Sequence, residues 1–323
     1  LNSNNQGLLG DWSSKQLDEN MTTILEGLQE IAPKTDFVFV DQGNSPLKMK
    51  QERVDEAVRK ARTTDLNIVV VGELGTRYMK HRTCGENRDR ANIELLGLQE
   101  ELVRRVAASG KPTIMIVVSG RPQNIEWASE NLPAILYAWE PGMYGGQAVA
   151  EILYGEVNPS AKMSMTIPRG SGQGPIYYNY KPSRYFHKSL DQNPYPLYHF
   201  GYGLSYTTYE YSDLQISKSK IAADENVEVS VTVKNTGERD GVEIAQLYIR
   251  DLYSDVTRPV KELKGFERLS LKAGESKVVT FEVPTSDLAY CHQDMSWKAD
   301  KGDFKVWVGA DSYATLEGRF TIK

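Results

Sequence analysis

A chain of 323 residues, 40% hydrophobic and 25% charged, has room for two domains or one large one. Its formal net charge of −5 excludes the basic excess of a nucleic-acid binder, and no apolar run approaches the roughly 20 residues that span a bilayer. Neither nucleic acid nor membrane is expected as a partner, and two distant cysteines, Cys84 and Cys291, imply free thiols rather than a disulfide framework.

The opening "LNSNNQGLLGDWSSKQ" is neither a signal nor a transit peptide. It lacks Met, so residue 1 is not expected to be the start of the translated product. "MTTILEGLQEIA" (21–32) spaces Met21, Ile24, Leu25, Leu28 and Ile31 as an amphipathic helix. "DFVFVDQG" reads as a buried strand, "QERVDEAVRKAR" as a helix and "LNIVVVGE" as a second buried strand ending at Glu73. "ANIELLGLQEELVRRVAASGK" predicts a helix stopped by Gly110. "PTIMIVVSG" and "AILYAWEPG" predict two more buried strands around the helix "QNIEWASENL"; "YGGQAVAEILYGEV" and "KMSMTIP" add a last helix and a last strand. Strands buried on both faces and separated by helices imply an α/β layered sandwich with a mainly parallel sheet over 1–168.

Residues 169–205, dense in Gly, Pro and Tyr, read as an ordered connection. From 206 to 323 the apolar period becomes two. "NVEVSVTVKN" puts Val227, Val229, Val231 and Val233 on one face, and "IAQLYIRD", "KVVTFEVP" and "FKVWVGAD" continue the pattern between turn signals, as in an antiparallel β-sandwich.

Few motifs carry chemistry. "VVVGELG" lacks the later glycines of a dinucleotide loop, and no Walker loop or CxxC is present. His81, His187, His199 and His292 show no metal-ligand spacing, so neither cofactor nor metal is expected. Ser119 in "VVSGRP" lacks a nucleophile-elbow frame, and "WEPGMYGG" reads as a strand-to-helix turn. The loop "KHRTCGENRDR" surrounds Glu86 with Lys80, His81, Arg82, Arg88 and Arg90, with Arg77 just upstream. Glu73, at the strand end, reads as a brace for this loop. Two readings stay open for Glu86. One is a solvated loop balanced by Asp89 and Glu94; the other is a carboxyl that does proton chemistry. Cations favour a charged carboxylate, whereas a general acid needs its proton. On the second reading the arginines hold the loop with Glu86 turned away from them, or one pairs with Asp89.

Several long stretches then coincide. "WEPGMYGGQAVAEILYGEVNPSAKMSMTIP", "YHFGYGLSYTTYEY", "VKNTGERDGVEIAQLYIRD" and "RPVKELKGFERLSLKAGES" together resemble the C-terminal portion of glycoside hydrolase family 3, bacterial β-glucosidase type. Ala161 departs from the family's Asn-Pro-Ser-Gly-Lys. The resemblance covers essentially the whole chain and implies an α/β domain followed by a fibronectin-III-like sandwich. It also implies a partner: an N-terminal (β/α)8 barrel carrying the aspartate nucleophile, on a missing segment or another chain. "GDWS" superficially resembles the barrel's Asp-Trp motif, but its place before the first helix marks Asp11 as structural. The strand expected ahead of "GLLGDWS" is lacking, which would leave an unpaired sheet edge.

"CGENRDR" is similar to the family's Gly-Glu-x-x-(Ser/Asp)-Arg, which implies Glu86 as general acid/base. Position in the loop puts Tyr78 and Arg82 at an outer sugar subsite, and Glu73, Arg88, Asp89 and Arg90 read as supports of the loop. The expected reaction is retaining, exo-acting hydrolysis of a β-linked oligosaccharide or glycoside, a β-glucoside before a β-xyloside, with no metal or cofactor and a periplasmic or secreted setting. Alone, the chain is expected to hold half a site and be inactive. The alternative is a non-catalytic module that binds carbohydrate or protein.

Overall fold

The computed structural model describes residues 6–77, 79–182 and 193–323. It divides into two compact units, Leu1–Val157 with Pro168–Gly174, and Asn158–Ile167 with Pro175–Lys323.

The first unit is a layered α/β fold. Its helices are α1 (Ile24–Ile31), α2 (Gln51–Ala61), α3 (Gln99–Ala107), α4 (Glu126–Asn131) and α5 (Gly145–Leu153), and its strands are β1 (Asn67–Gly72), β2 (Thr113–Val118) and β3 (Ala134–Trp139). The strands form a parallel sheet in the order β1-β2-β3, with Asn67 opposite Thr113 and Ile114 opposite Ala134. Alternate side chains leave each strand on opposite faces. Ile68, Val70, Ile116, Val118, Leu136 and Ala138 join one core with α1 and α5. The intervening Val69, Val71, Met115 and Val117 are buried as well.

Helix α1 starts at Ile24, three residues inside the 21–32 pattern, because Thr23 caps it. The Thr23 hydroxyl accepts from the Glu26 N–H (3.1 Å), and the Glu26 carboxylate accepts from the Thr23 N–H (2.8 Å), a reciprocal cap. It crosses α5 with almost no side chain between: a Cβ on Gly146 would lie 2.0 Å from the Thr23 carbonyl oxygen.

Four expectations need correction. "DFVFVDQG" forms no strand; no ladder joins it to β1, and Val38 and Phe39 are exposed. An apolar run becomes a strand only where a neighbouring edge accepts its backbone bonds. "KMSMTIP" likewise adds no strand to the parallel sheet. In the second unit Ile167 makes a lone antiparallel bridge with Tyr198, and Met163 exchanges backbone bonds with the 201–202 turn. Helix α3 is shorter than its apolar pattern, because Gly97 at φ +60° breaks the helical path ahead of it. Strand β3, at the sheet edge, is half-buried rather than buried on both faces.

The second unit is a β-sandwich. Strands β4 (Tyr209–Ile216), β5 (Lys220–Ile221), β6 (Asn226–Asn235), β7 (Gly241–Asp251), β8 (Glu262–Leu271), β9 (Ser276–Pro284), β12 (Gly302–Gly309) and β13 (Leu316–Ile322) make two sheets, β5-β13-β12-β7-β8 and β4-β6-β9. β10 (Tyr290–Cys291) and β11 (Trp297–Lys298) pair as a separate hairpin. Val227, Val229, Val231 and Val233 all enter the core, with Phe304 and Phe320 stacked at 5.1 Å. The period-two reading holds along β6 and β9, whereas β7 buries Ala245, Gln246, Leu247, Tyr248 and Ile249 without a break.

Replacing Gly146 by Ala gains about 1 kcal/mol of helix propensity but drives a methyl into backbone that no rotamer change can clear, an overpacking cost of about 3 kcal/mol. A net loss of about 2 kcal/mol is expected by urea denaturation, against little change for Gly172→Ala, where nothing lies within 4 Å.

Candidate active site

The site lies in the first unit, beyond the carboxyl ends of β1, β2 and β3, where open parallel sheets meet their ligands. A cavity of about 830 Å³ is lined there by Asp11, Trp12, Glu86, Asp89, Arg121 and Glu140, among others. Both cysteines are free, and Cys84, at this cavity, is buried. Burial pushes its thiol up to about 12, so it offers no thiolate nucleophile at neutral pH.

Glu86 sits at the tip of a tight turn. Gly85 before it has φ +102° and Asn87 after it φ +59°. Asn is among the few non-glycine residues at ease there, and a Cβ on Gly85 would lie 2.5 Å from the Asp11 carboxyl carbon. That contact identifies what fixes the loop. Asp11 is 4% exposed; its Oδ2 accepts from the Glu86 backbone N–H at 3.0 Å, and its Oδ1 pairs closely with Arg82. Arg82 also donates to the Glu86 carbonyl at 3.2 Å. The Glu86 N–H holds the Asp11 carboxyl below the ordinary carboxylate range; the Arg77 and Arg82 guanidiniums add to this and burial opposes it.

Above this anchor the Glu86 side chain stays open to solvent, 49% exposed. Its Oε2 lies 3.0 Å from Arg77, which also reaches Asp11 at 3.4 Å and places its guanidinium 4.1 Å from the centre of the exposed Trp12 ring. Arg77 thus pairs with Glu86, while Arg82 pairs with Asp11 and Arg90 with Glu73; a pair with Asp89 is not among those of the described residues. An exposed pair of this kind contributes at most about 1 kcal/mol. It orients Glu86 without locking it.

Glu73 is fully buried at the end of β1. It pairs with Arg90 (2.8 Å) and Arg121 (2.7 Å). Arg121 also donates to the Arg88 carbonyl (2.6 Å), and Arg90 to the Glu94 carbonyl (2.8 Å). This network ties the 83–94 loop to the ends of two strands. Arg88 thus takes part through its backbone, and Asp89 lines the cavity. Tyr78 lies outside the described residues.

Besides Arg121, two further cavity residues, Trp12 and Glu140, escaped the sequence reading. Trp12 is 75% exposed at the rim. Glu140 follows Trp139, whose φ of +53° accompanies a register shift between β2 and β3. Its carboxyl nests where Gly10, Gly75 and Gly120 leave no side chain in the way. Burial raises its pKa, reinforced by the charges of Asp11 and Glu73. The signal was available: an acid at the carboxyl end of a parallel strand, the same criterion that drew attention to Glu73.

Comparison with known proteins fits this layout. Residues 2–206 match the glycosyl hydrolase family 3 C-terminal domain, and residues 243–312 the fibronectin type III-like domain. A beta-xylosidase of Formosa agariphila is 38% identical over 95% of this chain and 42% of its own length. A periplasmic beta-glucosidase of Salmonella typhimurium is 34% identical over 98% of this chain and 44% of its own. The crystal structure of a beta-glucosidase from Listeria innocua in complex with glucose superposes with a TM-score of 0.89 at 29% identity, covering 99% of this chain and 45% of that one. The chain spans less than half the length of these relatives.

Two outcomes follow from the geometry. In Asp11→Ala the Glu86 amide should lose its protection from hydrogen exchange, while Asp89→Ala leaves it protected. Glu140 has a raised folded-state pKa, so the native state binds the extra proton and stability falls as pH rises from the unfolded value of about 4.3 through the folded one. Glu140→Gln should therefore raise Tm at pH 7, with the gain vanishing near pH 4; an equal gain at both would remove titration as the cause.

Proposed function

Since the chain belongs to glycoside hydrolase family 3, matching its C-terminal and fibronectin type III-like domains, we propose that it is the acid/base-bearing part of a retaining, exo-acting β-glycosidase, a β-glucosidase in the first instance. Glu86 is the general acid/base. The nucleophilic aspartate belongs to a (β/α)8 barrel that closes over the cavity, and the chain by itself does not turn over glycosides.

The observation that carries this reading is the division of labour between Asp11 and Glu86. Asp11 and Glu73 are buried and fully engaged by arginines. Glu86 is fixed through its backbone while its carboxyl, half-exposed at the cavity, meets Arg77 alone among the ion pairs of the described residues. That is what proton transfer to a bound glycoside asks for: a positioned backbone and a side chain able to gain and lose a proton. In the first half-reaction Glu86 protonates the departing glycosidic oxygen as the aspartate attacks the anomeric carbon. In the second, as carboxylate, it takes a proton from the water that hydrolyses the glycosyl-enzyme, the two carboxyls standing about 5–5.5 Å apart. Arg77 lies between the Glu86 and Asp11 carboxylates, so it keeps a partner in both halves. Arg82 and Tyr78 are assigned to an outer sugar subsite, Arg82 acting also as a brace, and the exposed Trp12 ring offers a flat apolar face to a pyranose.

The test uses the chain assembled with a family barrel. Glu86→Ala should lower kcat/KM on aryl β-glucosides with poor leaving groups by about 10²–10⁴-fold, and azide should restore turnover of an activated glucoside with release of β-glucosyl azide. Full turnover in the variant, with no azide effect, would move the role to another residue. Aryl β-xylosides run in parallel decide the sugar, and activity of the isolated chain would refute the half-site.

A further inference from the structure

The second unit gathers side chains that sequence spacing kept apart. The β10–β11 hairpin holds the His292 ring, 6% exposed, between two carboxylates. Nδ1 lies 3.1 Å from Asp255 Oδ1, and Nε2 lies 3.8 Å from Asp300 Oδ1. Nε2 also lies 3.2 Å from the Lys298 carbonyl oxygen. A carbonyl only accepts, so that contact puts a ring proton on Nε2 and leaves Nδ1 facing the Asp255 carboxylate.

The neighbours do not relieve this. The single hydroxyl proton of Tyr290 is shared between Asp255 (2.9 Å) and Asp300. Arg258, stacked over the Tyr290 ring, is paired with Glu262 at 2.6 Å. The Gln293 N–H donates to Asp255 Oδ2 at 3.2 Å, leaving Oδ1 to the histidine and tyrosine. A fourth carboxylate, Asp251, is 8% exposed, its Oδ2 has no hydrogen-bond partner among the described residues, and it feels the charges of Asp300, Arg258 and His292. Buried acceptors of this kind are ordinarily satisfied. Asp251, Asp255 and Asp300 thus crowd one imidazole.

We propose that Asp255, His292 and Asp300 bind a first-row divalent cation, Zn²⁺ or Mn²⁺. One ligand atom from each lies within 4.8 Å of the others, a span that a small inward movement closes around one ion. An imidazole nitrogen with two carboxylate oxygens suits these ions. Asp255, 40% exposed, provides the way in, and further coordination positions remain for water. Bound there, the ion ties the segment between β7 and β8, which carries Asp255, to the β10–β11 hairpin. The site is independent of the glycosidase reading.

The chain, free of any affinity tag and stripped with a chelator, is titrated with Zn²⁺ and then Mn²⁺ by calorimetry at neutral pH, with melting followed in parallel. One equivalent bound with a rise in Tm is expected, weakened about tenfold or more in Asp255→Asn and Asp300→Asn. Asp255→Asn preserves shape at a partly exposed position and keeps the test open should His292→Ala fail to fold. Undiminished binding in both Asn variants would place the metal elsewhere and overturn the proposal. So would the absence of heat and melting shift up to millimolar metal, or a ¹⁵N spectrum of His292 with both ring nitrogens protonated and unmoved by metal.

Discussion

The candidate site depends on one buried carboxylate. Asp11 receives the backbone N–H of Glu86 and the guanidinium of Arg82, and Arg82 in turn holds the Glu86 carbonyl. A charged group removed from water costs several kcal/mol unless it is paired and hydrogen-bonded. Asp11 meets that condition only when the 82–86 turn closes around it. The turn and the arm that carries Asp11 thus specify each other, and the exposed carboxylate at the tip is placed without being immobilised.

Two acids beside the same cavity illustrate how environment divides roles among like side chains. Glu73 answers its burial with two arginines and becomes a structural tie. Glu140, half-buried in a pocket of glycines, has no such partner, and its proton is held more tightly. Glu86 avoids burial. Residue type alone distinguishes none of these, because the differences lie in what the rest of the chain brings alongside.

Much of the architecture was legible in the sequence because periodicity reports burial directly. The alternation of Val227, Val229, Val231 and Val233 became one face of β6, and the spacing of Ile24 and Leu28 became the buried face of α1. The misreadings share a cause. "DFVFVDQG" has the composition of a strand without an edge to pair with, and the 91–98 stretch has apolar residues at helical spacing without helical backbone. Neither the availability of a partner strand nor a glycine held at positive φ is written in a local pattern. The site followed the same division. Glu86 stood out through its charged loop and the resemblance of "CGENRDR", whereas the pairing of Arg77 with Glu86 and the inward turn at Trp139 needed three dimensions.

The hydrogen bond from Glu86 to Asp11 spans 75 positions in sequence. A contact that distant forms only after loop-closure entropy has been met by the elements between its ends. Here those include α1, α2 and β1. Local helices and the β1–β2 pairing can arise while the arm is still undocked, leaving a sheet whose reactive turn has no fixed shape. The arm that carries Asp11 also brings Leu8 into the core beside α1 and α5, so one docking event completes that core and gives the 82–86 turn its shape.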